Sequence, residues 1–580
     1  MLKLFRFLKN YKLQSILAPL FKFTEACFEL IIPLVIANMI DVGIKNDDTG
    51  YILKMGGIMI LFGVLGLTVS LTAQYFAAKA ALGFGTELRR EMFKRINTFN
   101  HAELDKIGTS TLVTRMTVDI NQVQNGVNMC LRLFLRSPFI VLGAIIMAFS
   151  VSVKLTLIFL IASPMLAFVI FYVMKRTVPL YKKIQKKLDK TTLSVSENLS
   201  GVRVIRAFSR QKNEEKEFRQ NADELLDLQL KAGRISALTN PFTHVFVYAA
   251  IIAIIWFGGI NVEAGGLTQG ELLALISYMN QILLALLAVS LLVTSLTRAQ
   301  ASAVRVNEVF DIEPSFTDDA AKPVTFDENA PAVEFKNVYF SYNDNGKHAL
   351  KNISFTAKRG ETVGIIGGTG CGKTTLISMI PRFYEAGSGE VLVNGAAVSE
   401  YPFSQLRGLV GFVPQKAELF RGTIRQNMKM RCPEASDDEI YKALEIAQAM
   451  DFVGKMHDGL DHMIVAGGKN LSGGQRQRLT VARALVGSPE ILILDDSASA
   501  LDLATDAALR RAIASQTKDM TVFIVSQRVS SIRHADRILV LDNGEIVGDG
   551  THESLLEGCK VYSEICYSQH YSENERRNAR

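Results

Sequence analysis

The first 300 residues alternate long apolar runs with charged connections, and the rest of the chain does not. Six runs, at about 14–42, 52–82, 128–152, 154–178, 237–262 and 268–298, each meet the roughly 20 apolar residues that a helix needs to cross a bilayer core. The pattern predicts six membrane-spanning helices. The connections around Asp41–Tyr51, Ser152–Lys154 and Asn261–Leu267 are short and poor in Lys and Arg, which predicts the outer side. The other two, about 83–127 and 179–236, are long and charged but keep helical spacing, as at Leu225 and Leu228. They predict helices that continue into the cytoplasm, where both termini also fall.

After a polar stretch at Asp311–Ala330, short β-rich runs broken by turns begin near Val333. The expected division is a transmembrane domain over 1–310, a linker over 311–332, a soluble α/β domain over 333–567 and a polar tail over 568–580. At 580 residues the chain exceeds what one core usually serves, and its mean hydropathy of +0.19 comes from an apolar excess in the first half.

The net charge of +7 changes the picture only through its distribution. Arg89, Arg90, Lys94 and Arg95, and Lys175, Arg176, Lys182, Lys183, Lys186 and Lys187, stand beside apolar runs on the connections expected inside. That is the positive-inside pattern, which names the lipid bilayer, not nucleic acid, as the partner. The six cysteines, Cys27, Cys130, Cys371, Cys432, Cys559 and Cys566, show neither paired spacing nor His neighbours, so they are expected to be free thiols. Met1–Lys12 is basic and aromatic without a small-residue cleavage site, and the first helix is expected to direct insertion itself. The lone Trp256 reads as an interfacial anchor at the outer face.

Within the first run, Glu25 and Glu29 are four residues apart and share one helix face, where carboxylates are costly. They read either as a site for cationic substrates or as partners of Arg132 or Arg136 in the third helix. Asn280 and Gln281 in the sixth helix are further substrate candidates, with interhelix bonding as the plainer role.

In the second half, the strand-like run Glu361–Gly367 leads into Gly367, Gly368, Thr369, Gly370, Cys371, Gly372, Lys373, Thr374 and Thr375, which fits G-x-x-x-x-G-K-[ST] between a strand and a helix. Glycines let backbone N–H groups wrap phosphates, Lys373 reaches the β- and γ-phosphates, and the Thr374 hydroxyl ligates Mg²⁺. A second strand, Glu490–Asp495, ends on Asp495, the carboxylate expected to hold Mg²⁺ through water. Between these motifs lies Leu471, Ser472, Gly473, Gly474 and Gln475, a candidate anion-binding helix start.

With Leu-Ser-Gly-Gly-Gln in that place, the sequence resembles the ATP-binding cassette superfamily, in the exporter arrangement of a six-helix all-α membrane domain fused to an α/β P-loop domain. The resemblance implies ATP and Mg²⁺ as cofactors, and it implies that Ser472 to Gln475 complete the ATP site of an opposite subunit. It assigns Tyr342 to adenine stacking, Gln415 to sensing of γ-phosphate and Mg²⁺, and Ala500–Asp502 to the loop that crosses the dimer interface. The segment around Thr109–Val113 and the run Glu197–Phe208 look like the two coupling regions that rest on the cassettes.

Three positions depart from the family. Asp496 stands where hydrolytic members carry the glutamate that polarises water, and Gln527 stands where they carry the switch histidine. Aspartate is one methylene shorter, and a displacement of about 1 Å costs on the order of a hundredfold in rate. Ala466 replaces a glutamate common shortly before the signature. An altered Walker side beside an intact signature resembles the degenerate-site subunit of heterodimeric bacterial multidrug exporters. The expectation is therefore a membrane-bound ATPase that needs a different half-transporter for full activity and moves small amphipathic, drug-like molecules. A lipid or peptide exporter, or a nucleotide-sensing regulatory subunit, is the alternative.

Overall fold

The computed structural model describes residues 2–317, 322–327, 329–342, 347–497, 500–516 and 519–578. Parts of the expected linker and the last two residues of the expected tail thus lie outside the described residues, and the remainder of that tail continues the helix Lys560–Asn578. The chain divides into two compact units, one of Met1–Asn97 with Gly108–Glu313 and one of Thr98–Ile107 with Pro314–Arg580.

In the first unit, six long apolar helical stretches are sufficient to cross a membrane: Lys3–Ile44, Thr49–Ile96, Thr109–Val151, Val153–Ser200, Gln211–Glu263 and Gln269–Phe310. Their helices are α1 (Lys12–Asn38), α2 (Thr49–Ile96), α3 (His101–Ile107, which belongs to the second unit), α4 (Thr109–Thr114), α5 (Ile120–Leu133), α6 (Arg136–Val151), α7 (Val153–Ser200), α8 (Val202–Ala207), α9 (Gln211–Ala237), α10 (Thr239–Glu263) and α11 (Gln269–Phe310). The expected cytoplasmic continuations are present as unbroken helix in α2 and α7, each 48 residues long. The third span differs from expectation, because it is interrupted between α5 and α6 at Phe134 and Leu135.

Local sequence fixes several ends. Asp48 accepts a hydrogen bond from the Tyr51 N–H at 2.9 Å, and Thr268 with Glu271 forms a capping box at the start of α11. Next to it, a Cβ on Gly270 would come within 2.3 Å of the Ala37 carbonyl oxygen, so α1 and α11 approach there only through glycine. Leu30, Phe159, Leu166, Ile254, Tyr278 and Ile282 form the apolar centre of the unit, and the Tyr278 hydroxyl donates to the Leu30 carbonyl at 2.9 Å.

The second unit is α/β. A six-stranded sheet runs in the order Glu545–Gly550, Arg537–Asp542, Thr362–Gly367, Thr521–Val525, Ile491–Asp495 and Val410–Val413. Its first pair is antiparallel and the others are parallel, with Ile491–Asp495 buried throughout, as a parallel strand covered on both faces should be. A smaller antiparallel sheet is formed by Leu350–Ala357, Val333–Phe340, Ser388–Val393 and Ala396–Ala397. The P-loop connects Thr362–Gly367 to α12 (Lys373–Ser378), at the carboxyl ends of the parallel strands where doubly wound sheets place ligands.

The segment that clusters with this unit is Thr98–Ile107, whereas Thr109–Val113, the expected first coupling region, belongs to the membrane unit. His101 stacks on Phe383 at 4.4 Å, Asn100 donates to the Phe316 carbonyl at 2.9 Å, and Asp105 accepts from Tyr384. Aromatic stacking and hydrogen bonds thus tie α3 into the second unit.

Candidate functional site

One cavity of about 400 Å³ collects the Walker-side candidates. Tyr342, Thr369, Gly370, Gly372, Lys373, Thr374, Thr375, Gln415, Asp495, Asp496 and Gln527 all line it. Gly372 has φ of +102°, and a Cβ there would meet the Ala349 carbonyl oxygen at 2.8 Å, so the loop can turn into α12 only with glycine. Gly367, Gly368 and Cys371 complete the loop. The Lys373 ammonium donates to the Gly367 and Gly368 carbonyls at 2.9 and 2.7 Å, with the Cys371 sulfur 3.6 Å away. This folds the lysine back over its own loop, within reach of the space that phosphates would enter.

Thr374 Oγ1 lies 3.0 Å from Asp495, at the end of the central strand. Hydroxyl, carboxylate and the nearby Gln415 amide supply oxygen ligands only, and a single carboxylate beside a hydroxyl suits Mg²⁺ held jointly with phosphates. Burial pushes the Asp495 carboxyl above its ordinary range, against the Thr374 hydrogen bond, and Asp496 adds to the rise. Burial also raises Asp496, opposed by its hydrogen bond with Gln415 and by the charge of Arg528. Asp496 has a left-handed backbone, φ +45°, and its N–H is tied to the Val525 carbonyl at 2.9 Å, which aims the carboxylate at the cavity.

Tyr342 stands at the cavity edge. Its hydroxyl is 2.8 Å from Thr375 Oγ1, its ring meets Phe340 and Tyr384 edge-on at 4.9 and 5.3 Å, and the side chain is about half exposed. The loop of Gln527 is gripped from behind by Gln569. The Gln569 amide donates to the Gln527 carbonyl at 2.7 Å and accepts from the Val529 N–H at 2.9 Å. Sequence reading missed this residue, which has no motif and lies 42 positions away.

The signature residues do not line this cavity. Ser472 caps the helix Gly473–Leu485, accepting from the Gln475 N–H while Gln475 Oε1 accepts from the Ser472 N–H at 2.9 Å. Ser472 and Gly473 are exposed, so the cap presents its helix start outward.

In the membrane unit the acidic pair is not bare. Glu29 takes the Arg136 guanidinium at 2.7 Å, and Glu25 takes the Lys22 ammonium at 2.5 Å, with Arg136 Nε 3.8 Å away. Lys22 is buried and was missed as a partner; Arg132 is not part of the cluster. Two cations therefore offset two carboxylates, with Arg136 one of the two partners that the sequence offered for the pair. Gln281 donates to the Glu29 carbonyl at 3.1 Å, and Asn280 to the Ile276 carbonyl of its own helix at 3.3 Å. Both amides are thus engaged with helix backbone.

Comparison with known proteins agrees with this architecture. Residues 15–286 match the ABC transporter transmembrane region, and residues 350–499 match the ABC transporter family. The chain is 36% identical over 569 residues to the uncharacterized ABC transporter ATP-binding protein YfiB of Bacillus subtilis, covering 98% of each. It is 31% identical to the putative multidrug export ATP-binding/permease protein YgaD of the same organism, covering 97% of each. The structure of a bacterial Atm1-family ABC exporter with ATP bound has the same fold, with a TM-score of 0.79 at 22% identity over 96% of this chain and 98% of that one. Six apolar helices followed by a cassette that binds ATP make this chain a multi-pass membrane protein of the ABC transporter family, a half-transporter of the exporter type.

Proposed function

We propose that this chain is one subunit of a heterodimeric exporter whose own Walker side holds ATP with slow turnover, while its signature completes a faster site on a different half-transporter. The observation that carries the reading is the placement of Asp496 and Gln527 in the P-loop cavity, beside Lys373 and Thr374, while consensus Ser472 and Gly473 stand exposed elsewhere. In this reading Tyr342 stacks on adenine, Gly367 to Gly372 and Lys373 cradle the phosphates, and Thr374, Gln415 and Asp495 hold Mg²⁺. A catalytic carboxylate one methylene short and a neutral switch residue slow hydrolysis without removing the ATP contacts. No residue of α8 is buried, and Phe208 at its end is 74% exposed, which suits a coupling helix that rests on a cassette.

The cargo in this reading is a small amphipathic molecule, in keeping with the printed name of YgaD. Both termini face the cytoplasm of a bacterial cell, as the distribution of Lys and Arg implies. Steady-state ATPase measurements on the purified chain, alone and with a half-transporter that carries glutamate and histidine at the two altered positions, test the pairing. Turnover should be a small fraction of the pair's when the chain is alone. Equal turnover in both samples would end the heterodimer reading.

A further inference from the structure

The basic residues of α7 follow the positive-inside pattern in number, but that pattern does not account for their arrangement on the helix. Between residues 175 and 190 there are seven Lys and Arg against one acid, Asp189, whereas α9, beside it in the same connection, carries five basic and six acidic residues. At about 100° per residue, Lys175, Arg176, Lys182, Lys183, Lys186, Lys187 and Lys190 fall within an arc of roughly 140°. The buried positions Leu166, Ile170, Thr177 and Thr191 lie on the opposite side of the helix. A topological excess of cations requires no such confinement to one face.

Lys187 is engaged with Glu224 and Asn221 of α9. Lys190 also faces the charge of Glu224, whereas Lys175, Lys182, Lys183 and Lys186 make no ion pair among the described residues. Toward the start of α7, the same arc carries Leu157, Ile161, Met165, Phe168 and Tyr172, all exposed. One continuous face thus runs from apolar through aromatic to basic. Arg176 lies over the Tyr172 ring at 5.4 Å, the combination that suits head-group level. The carboxylates of α1 do not compete for a cation here, because Lys22 and Arg136 already neutralise them.

We propose that this face of α7 binds an anionic phospholipid of the cytoplasmic leaflet. The acyl chains lie along Leu157, Ile161 and Phe168, and the phosphate is held by Lys175, Arg176, Lys182 and Lys183. Lys186 and Lys190 extend the positive potential beyond the head-group layer, over a range set by a screening length of about 8 Å.

The test uses the full chain in phosphatidylcholine nanodiscs, titrated with fluorescently labelled phosphatidylglycerol and with phosphatidylcholine bearing the same label. Phosphatidylglycerol should bind more tightly, and Lys182→Gln with Lys183→Gln and Lys186→Gln should weaken it on the order of tenfold or more while phosphatidylcholine is unaffected. The matching triple Lys→Arg variant should retain binding, and unchanged phosphatidylcholine binding together with an unchanged elution profile verifies folding of each variant. Equal affinity of the unaltered chain for the two lipids, or unchanged phosphatidylglycerol affinity in the glutamine variant, overturns the proposal.

Discussion

The Tyr384 hydroxyl donates a 2.5 Å hydrogen bond to Asp105 of α3, and the ring of the same tyrosine packs edge-on against Tyr342 at 5.3 Å. The short helix between α2 and α4 is therefore one side chain away from Tyr342, the residue that stacks on adenine in the proposed reading. Burial and the Asp105 carboxylate both push the Tyr384 phenol far above its ordinary pKa, so it stays a donor at every working pH.

Tyr384→Phe keeps the ring and removes the donor. ATP affinity should change by less than about threefold, while substrate-stimulated ATPase falls severalfold because α3 loses a bond worth about 1.5–3 kcal/mol to a charged acceptor. Asp105→Asn should produce the same split between binding and stimulation. Parallel nucleotide-binding and ATPase titrations check it, and a matched loss of both would mean that the bond serves nucleotide binding alone.

The raised carboxyl of Asp495 has a sign that can be followed in stability. A carboxyl whose folded pKa lies above its unfolded one favours the folded state while protonated, and that contribution is lost as pH rises through the raised value. At neutral pH, ionised Asp495 therefore costs the nucleotide-free cassette stability. Asp495→Asn should raise the melting temperature of the nucleotide-free protein at pH 7, with a difference that shrinks toward pH 4, and should abolish the further stabilisation that Mg²⁺ adds to ATP. Thermal melts across pH with and without Mg·ATP decide this.

Gln569 is expected to act through the loop it grips. Replacing it with alanine removes two neutral hydrogen bonds, about 1–2 kcal/mol of local stability, and frees Gln527 from one orientation. The kcat of the assembled exporter should fall severalfold with KM for ATP nearly unchanged. Gln569→Glu, which keeps the acceptor and loses the donor, should fall between. Identical kinetics in all three proteins would show that the clip has no influence on turnover.

Much of the fold was legible in the sequence because its signals are strong and local. Six apolar runs, the glycines before Lys373 and the strand ending at Asp495 each follow from one physical requirement, and the structure places them as expected. Contacts set by packing were not legible. Nothing in the local sequence marks Lys22, whose partners Glu25 and Ser70 are set by the packing of α1 against α2. The break at Phe134 and Leu135 lies between Arg132 and Arg136, just before Pro138, inside the run expected to span as one helix. The docking of His101 on Phe383 joins residues 282 positions apart, which no local pattern reports.

The four-charge cluster in α1 and α6 should behave as structure. Lys22 has a side chain only 6% exposed, and removing one partner of a buried pair costs about 3–5 kcal/mol. Glu25→Gln alone should lower the yield of folded protein, and Lys22→Met added to it should restore most of the loss. Per folded molecule, export of cationic and neutral dyes should then be affected equally. A selective loss of cationic dyes in the double variant would return the carboxylates to substrate recognition.

The slow Walker side should be repairable from within this chain. Asp496 already points into the cavity, beside Gln415 and the P-loop, so its shortfall is one methylene of reach and not of direction. Glutamate in its place carries the carboxylate further toward the attacking water, and Gln527→His adds a group that can become a cation beside the γ-phosphate. Two copies of the doubly altered chain would then pair consensus Walker sides with consensus signatures. Asp496→Glu with Gln527→His should raise the ATPase rate of the chain alone by at least about tenfold, given that errors near 1 Å cost on the order of a hundredfold. Each single change should recover less than its share, since the two groups act on one transition state. Steady-state phosphate release from the purified single and double variants measures it. If the double variant binds ATP normally and turns over no faster than the original chain, the slow step lies in closure of the two subunits, and the degenerate-site assignment loses its chemical basis.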